Sequence, residues 1–342
     1  MMIITATSDA GPAHYLSAVI KNINKNCHCL SSNISSRIFD DYKIKNRIIN
    51  VKNQNELGDY ICNISSDKDL GMIITGTSWG NCIDKVLIKF GIENNIKVIS
   101  IVEHWSWYRE RFTLDNKLIL PDYIIVNDEI AKKEAIEDGL PGEILYPLGN
   151  PVLEQMAQKK LKALPKKKWL KKLSLPDRKI VTFISEDYRK NFNEKSDFHQ
   201  GFDEFQVIED IVFALKDTHH LLIKVHPSEK INKYDKFKSR KHITIIQKTD
   251  VDSLILNSDF IIGMGSMFLL EAAMHRNDII SYRPGDKKGF IGNKIGTTFF
   301  AKNKYELKDI LTGKRKIQNS GFINSYNHST KKIINFIEDK LN

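Results

Sequence analysis

Cysteine is scarce in this sequence: four in 342 residues, Cys27, Cys29, Cys62 and Cys82, all in the first quarter. Cys27-His28-Cys29 has the wrong spacing for a zinc site, and no second pair completes one. The expectation is therefore reduced thiols in a cytosolic protein, with no disulfide framework and no metal. No apolar run reaches the roughly 18 residues that span a bilayer. The opening MMIITATSDA lacks the basic segment and long apolar stretch of a secretory signal, so its IITAT reads as a first core strand. There is no RNA-binding signature and no basic region followed by heptads, which sets nucleic acid aside as a partner.

What the chain has is length, positive charge and repetition. At 342 residues it is long for one domain and comfortable for two, each large enough to bury a core. Its formal net charge of +10 suits anionic small molecules or an anionic membrane face. Basic residues concentrate in 158–179 and 224–242. The first of these interleaves Leu161, Leu164, Trp169, Leu170 and Leu173 with lysines. It reads first as a solvated linker helix and second as a contact with anionic headgroups.

The organising stretch is 259–286, DFIIGMGSMFLLEAAMHRNDIISYRPGD from Asp259 onward. A short apolar run ends at Gly263; Met264, Gly265 and Ser266 turn the chain; an amphipathic run follows to His275; a second apolar run ends at Tyr282. This is a strand, a tight glycine turn, a helix and a strand, the βαβ unit of a parallel sheet. Ligands of such sheets bind beyond the carboxyl ends of the strands, where Gly263, Gly265 and Ser266 fall. Free N–H groups there suit a phosphate, and Glu271, about one turn further on, suits ribose hydroxyls. Residues 71–101 repeat the pattern with Gly76, Thr77 and Ser78 as the turn. Residues 2–23 repeat it again, with a turn at 7–14 that includes Asp9, Gly11 and His14 and a helix at 15–23. Further strands are expected at 47–51, 123–126, 144–147, 179–185, 220–225 and 243–246, and a helix-like patch at 56–64. The aromatic and charged run from Glu103 to Phe112 reads as a loop past a strand end, and 303–312 and 327–341 as terminal helices. The alternation predicts an α/β fold of two doubly wound, Rossmann-like domains with an interdomain cleft.

With these residues in view the chain resembles the GT-B superfamily of nucleotide-sugar enzymes. It is closest in layout to the UDP-N-acetylglucosamine 2-epimerase branch and to bacterial surface-glycan glycosyltransferases. The family's VEAGLRS-like loop is matched by Val102, Glu103, His104, Trp105 and Ser106. Its GNPV turn is matched by Gly149, Asn150, Pro151 and Val152, with Glu154 near the usual acid. Its histidine-proline strand end is matched by Lys224, Val225, His226 and Pro227. Its phosphate-and-ribose turn is matched by Gly265, Ser266 and Glu271, and a following arginine by Arg283. Two departures weigh against epimerase chemistry. The segment that carries the epimerases' catalytic histidine reads Thr182 to Arg189, with Ser185 and Glu186 and no histidine, and the paired glycines after the serine are Met267-Phe268. Lys-x-His-Pro also resembles the histidine-proline motif of sialyl-, Kdo- and polyol-phosphate transferases.

The resemblance implies an acceptor domain over 1–155, a donor domain over 156–325 and a C-terminal helix, 326–342, packing back toward the first. It implies a glycosyltransferase that needs neither metal nor cofactor. The donor would be a nucleotide sugar and the acceptor a surface glycan or glycolipid. The location would be the cytoplasm, with peripheral contact at the inner membrane face. Lys224, His226, Pro227, Gly263, Gly265, Ser266, Glu271 and Arg283 would hold the donor, with Gly11, Trp105, Ser185 and Glu186 as loop contacts. Glu103 or His104 would take the acceptor's proton, with Asp9 and His14 as further candidates. The alternatives are an isomerase or hydrolase of the nucleotide sugar and a non-catalytic nucleotide-sugar-binding protein.

Overall fold

In a computed structural model of the chain, residues 1–49, 60–61, 70–191, 201–286, 289–317 and 326–341 are described. The chain divides into two compact units: Met1–Gln155 with Ser325–Asn342, and Met156–Asn324.

The first unit is built on a parallel sheet. Its strands, in chain order, are β1 (Met2–Thr7), β2 (Asn26–Ser31), β3 (Asn46–Ile48), β4 (Leu70–Thr75) and β5 (Val98–Val102). The antiparallel hairpin β6 (Thr113–Leu114) and β7 (Lys117–Leu118) stands apart, and β8 (Tyr123–Val126) and β9 (Leu145–Pro147) complete the sheet. The order is β3-β2-β1-β4-β5-β8-β9. Met2 to Thr7 of β1 are all buried, as befits a central strand covered on both faces. Its side chains pack with Tyr15, Leu16 and Val19 of helix Ala10–Ile20, and with Ile333, Ile337 and Leu341 of the terminal helix Ser329–Leu341.

The second unit carries β10 (Lys179–Ile184), β11 (His219–Lys224), β12 (Ile243–Ile246), β13 (Phe260–Gly263), β14 (Ile279–Tyr282) and β15 (Phe299–Ala301). They are parallel in the order β12-β11-β10-β13-β14-β15, which is the Rossmann order 3-2-1-4-5-6. In each unit the chain direction across the sheet reverses at one seam: β1 beside β4, and β10 beside β13. A strand order of this kind opens a crevice at the carboxyl ends of those strands.

Several local expectations change. The first helix begins at Ala10, so Gly11 and His14 lie inside it and not in a preceding turn. Pro12 is tolerated there because a helix's first turn needs no N–H from it. Strand β2 had no counterpart in the sequence reading, since NCHCLS carries polar residues at positions that half-face solvent. The run after β5 holds helix Tyr108–Arg111 and the β6–β7 hairpin. The basic linker follows helix Pro151–Gln158 and forms helix Lys166–Lys172, in which Trp169 and Leu170 are buried. Those apolar side chains are committed to the protein interior, which leaves mainly lysines on the surface. Among the described residues no helix is long and apolar enough to cross a membrane. Cys62 and, apart from Tyr60 and Ile61, the helix-like patch at 56–64 lie outside the described residues.

Candidate functional site

In the second unit the seam between β10 and β13 is crowded by four groups. Glu186, two residues beyond β10, accepts a hydrogen bond from the Gly265 N–H at 2.8 Å. Burial pushes its carboxyl up to about 7, against the Gly265, Met264 and Ser266 backbone and the Arg283 charge, which all favour the carboxylate. Arg283, buried just past β14, donates through Nη1 to the Tyr188 hydroxyl at 2.6 Å and pairs with Asp286. A Cβ at Gly265 would lie 3.0 Å from both Arg283 Nη1 and Tyr188 Oη. Glycine is favoured there by the close approach of those side chains and not by a positive φ. Gly263 is the last residue of β13, and its Cβ would meet Leu269 at 2.9 Å.

This corrects the expectation of an open anion cradle. The Gly265 N–H is engaged by Glu186. The Ser266 hydroxyl caps helix Met267–Ala273 by accepting from Phe268 N at 3.2 Å.

Lys224 and His226 follow from β11. Lys224 Nζ donates to the Val225 carbonyl at 3.0 Å, and burial lowers its pKa. His226 is exposed, with Nδ1 2.7 Å from Ser228 Oγ and its backbone N–H donating to Glu229 at 3.0 Å. Pro227 is exposed beside it. Glu229 also receives the Ser185 hydroxyl at 2.5 Å, which ties the end of β10 to the histidine loop. Glu271 belongs to a different group. It sits half-buried near Lys159 and Asp252, with burial raising its pKa.

Asp187, Glu204 and Glu229 offer carboxylate oxygens within 4.8 Å of one another, a spacing a divalent cation could use. They hold the Lys233 ammonium instead, at 2.8 Å from Asp187 and 2.6 Å from Glu204, with Glu229 closer still. Burial opposes the ammonium, and the three carboxylates more than offset it, so the Lys233 pKa is raised. A cavity of about 550 Å³ opens beside this cage. Another, of about 460 Å³, is lined by Lys97, Pro121 and Asp122, next to the amino ends of β5 and β8 and away from every candidate residue.

In the first unit the seam between β1 and β4 is stitched by Ser78. Its hydroxyl accepts from Ser8 N at 3.0 Å and Asp9 N at 2.8 Å and donates to Asp84 at 3.1 Å. Asp84 is fully buried, and burial raises its pKa. Asp9 accepts from Trp79 N at 2.8 Å, so its carboxylate fixes the next residue of that loop. Glu103, just past β5, has Oε1 3.6 Å from Arg111 Nη1 and 3.0 Å from where a Gly11 Cβ would lie. Its buried Oε2 has no hydrogen-bond partner among the described residues. Burial pushes the Glu103 carboxyl up, Arg111 pulls it down, and Asp84 and Asp9 push it up again. Asn127 donates to the Glu103 carbonyl at 2.9 Å and accepts from Asn150 at 3.0 Å, which ties the Gly149-Asn150-Pro151 turn to this loop.

The neighbours of Glu103 divide. His104 Nδ1 lies 2.9 Å from Ser106 Oγ, and burial, with Arg111, pushes its pKa down to about 4, so the ring is neutral at pH 7. Trp105 is only 7% exposed and donates to Asp128 at 2.9 Å. It anchors the loop and offers no face to a ligand. His14 packs edge-on against Tyr42, with Nδ1 3.4 Å from its hydroxyl, and burial lowers its pKa. The sequence reading missed Trp79 and Asp84, whereas Arg111 was one of the two arginines, with Arg109, expected to pair with Glu103. A tryptophan directly after the small-residue turn Gly76-Thr77-Ser78 was the available signal for the first.

Residues 83–309 match the model of the family described as "Protein of unknown function (DUF354)". The chain belongs to that family. No curated protein matches this DUF354 chain in sequence. Solved structures do resemble its fold. The Methanocaldococcus jannaschii UDP-GlcNAc 2-epimerase in complex with UDP-GlcNAc and UDP is 15% identical, covers 99% of this chain and 100% of its own, and superposes with a TM-score of 0.64. The S. aureus MnaA–UDP structure is 13% identical, with 99% and 96% covered and a TM-score of 0.67. Anabaena Alr3699/HepE in complex with UDP-glucose is 10% identical, with 100% and 98% covered and a TM-score of 0.65. The DUF354 chain has the GT-B fold: two Rossmann-like α/β units with parallel sheets.

Proposed function

We propose that the protein is a metal-independent glycosyltransferase that moves a sugar from a nucleotide-activated donor to a surface-glycan or glycolipid acceptor. The fold is shared with proteins solved with UDP and UDP-sugars, which favours a nucleotide-sugar substrate. One observation carries the choice of transfer over epimerisation. The segment where the resemblance expects the epimerases' histidine, Thr182 to Arg189, has no histidine and instead holds Glu186, a carboxylate engaged by Gly265 N–H and facing Arg283. In this reading Arg283 and Lys224 supply positive charge to the departing phosphate and His226 a hydrogen bond, as a preorganised substitute for a metal. Displacing Glu186 would free the Gly265 N–H for the same purpose. Glu103 takes the proton of the acceptor hydroxyl, since burial and two neighbouring carboxylates raise its affinity for a proton toward that of a useful base. Work at the cytoplasmic face of a membrane, on a lipid-linked acceptor, belongs to the same proposal.

The second reading, an epimerase or hydrolase of the nucleotide sugar, is favoured by the number of 2-epimerases among the similar folds. Incubation with UDP-GlcNAc or UDP-glucose alone, followed by NMR of the sugar, separates the two. A transferase leaves the donor unchanged until acceptor is added. Free UDP or a C2 epimer formed from donor alone would discard the transferase reading.

A further inference from the structure

We propose that Trp79 is the stacking platform for a pyranose ring of the acceptor, an inference that rests on the transferase reading above. Trp79 is a large aromatic residue left 50% exposed at the carboxyl end of β4, directly after the turn that Ser78 and Asp84 stitch down. Its position is built rather than loose. Its backbone N–H is held by Asp9 at 2.8 Å. The Arg111 guanidinium, itself buried, lies 5.1 Å from its ring centre. The Trp107 ring meets it edge to face at 6.0 Å. Trp107 adopts φ of 59°, a left-handed conformation that is a rare and strained state for so bulky a residue. Strain of this kind, on the order of 1–3 kcal/mol, persists where the surroundings impose it, and it clusters at ligand sites.

The chemistry around the exposed indole is that of carbohydrate recognition. One face of a pyranose presents C–H groups whose partial positive charge matches the negative face of an aromatic ring. Its rim presents hydroxyls, which need acceptors and charged donors. Glu103 Oε1 is 3.6 Å from the Arg111 nitrogen, and Glu103 Oε2 is buried without a partner among the described residues. Trp79 is thus linked through the Arg111 guanidinium to the carboxylate assigned as base. The buried Trp105 cannot play this part.

Saturation-transfer NMR on the full chain tests the proposal, with the methyl glycosides of glucose, galactose and N-acetylglucosamine as probes. At least one probe should take up saturation on the C–H protons of one ring face. Trp79→Ala should weaken that binding about 2- to 12-fold, the range expected from an aromatic pair worth 0.5–1.5 kcal/mol, and Trp79→Tyr should keep most of it. No uptake by any probe in the wild type, equal uptake in Trp79→Ala, or displacement of the glycoside by uridine would overturn the assignment. Calorimetry with UDP, CDP, CMP and GDP on the same variants separates this proposal from the one beneath it. Loss of glycoside discrimination with nucleotide binding intact removes only the platform. Absence of binding by UDP, CDP, CMP and GDP alike in every form, wild type included, removes the nucleotide-sugar reading.

Discussion

Glu186 shows how one side chain changes a site. Its unfolded-state carboxyl titrates near 4.5, and burial pushes the folded value up to about 7. Between those two values the folded protein binds more protons than the unfolded one, so stability falls as pH rises through this window and levels off above it. Glu186→Gln removes the titration and keeps an oxygen to accept from Gly265 N–H. The variant should gain in melting temperature over the wild type at pH 8 relative to pH 5. Parallel melting profiles at both pH values would show that the buried charge is not the cause. Glu103, His226 and Ser266 give a second residue-scale expectation. His226→Ala and Ser266→Ala should weaken UDP binding about 10- to 150-fold, the value of a hydrogen bond to a charged group. The Ser266 effect would act partly through the lost cap on Phe268 N. Glu103→Gln should leave UDP affinity intact and slow turnover by about 10² to 10⁴. Calorimetry on folded variants, paired with a turnover assay, tests the split. The reverse pattern would overturn the assignment of roles to the two units.

At the scale of elements, the terminal helix is the clearest case of a structural role. Glu154 accepts from His328 N at 2.7 Å and Thr330 N at 2.9 Å, so it receives N–H groups at the helix start. The resemblance set Glu154 beside a motif; the structure makes it an anchor. Ile333 and Ile337 are fully buried in the first unit's core. Truncating either to alanine should cost about 2–5 kcal/mol by denaturant unfolding, as for other buried Ile and Leu positions. A loss below about 0.5 kcal/mol would mean the helix is not part of that core. Gly149 belongs to the same junction. Its φ of +110° excludes most residues, and a Cβ there would lie 2.1 Å from Ser329 Oγ.

At the scale of the whole molecule, the GT-B fold accounts for why residues so far apart in sequence serve one purpose. Each Rossmann-like unit reverses its strand order once, and each reversal collects loops from two strands. Asp9 and Ser78, 69 residues apart, meet at one seam. Glu186 and Gly265, 79 residues apart, meet at the other. A nucleotide that binds only the folded chain should raise its stability by about 2.7 kcal/mol at 100 times its dissociation constant. A thermal-shift screen of UDP, CDP, CMP and GDP should single out one base. A flat response to all four would count against any nucleotide donor.

The alternation of apolar runs, small-residue turns and amphipathic stretches was enough, read along the sequence, to establish two parallel α/β repeats and most of their strands. β8 and β12 fall where periodicity puts them, because buried parallel strands are short, continuous apolar runs. Polar or very short strands such as β2 and β15 were not legible, since their place is set by neighbours and not by their own pattern. The site was legible only in outline. Motif spacing singled out Glu103, Gly265 and Arg283 but not which atoms are already satisfied. That Gly265 N–H belongs to Glu186, that Trp105 is buried while Trp79 is open, and that three carboxylates close on Lys233 are consequences of contacts made across the fold. Hydrogen bonding, burial and charge pairing depend on distances between segments, and those exist only once the tertiary structure has formed.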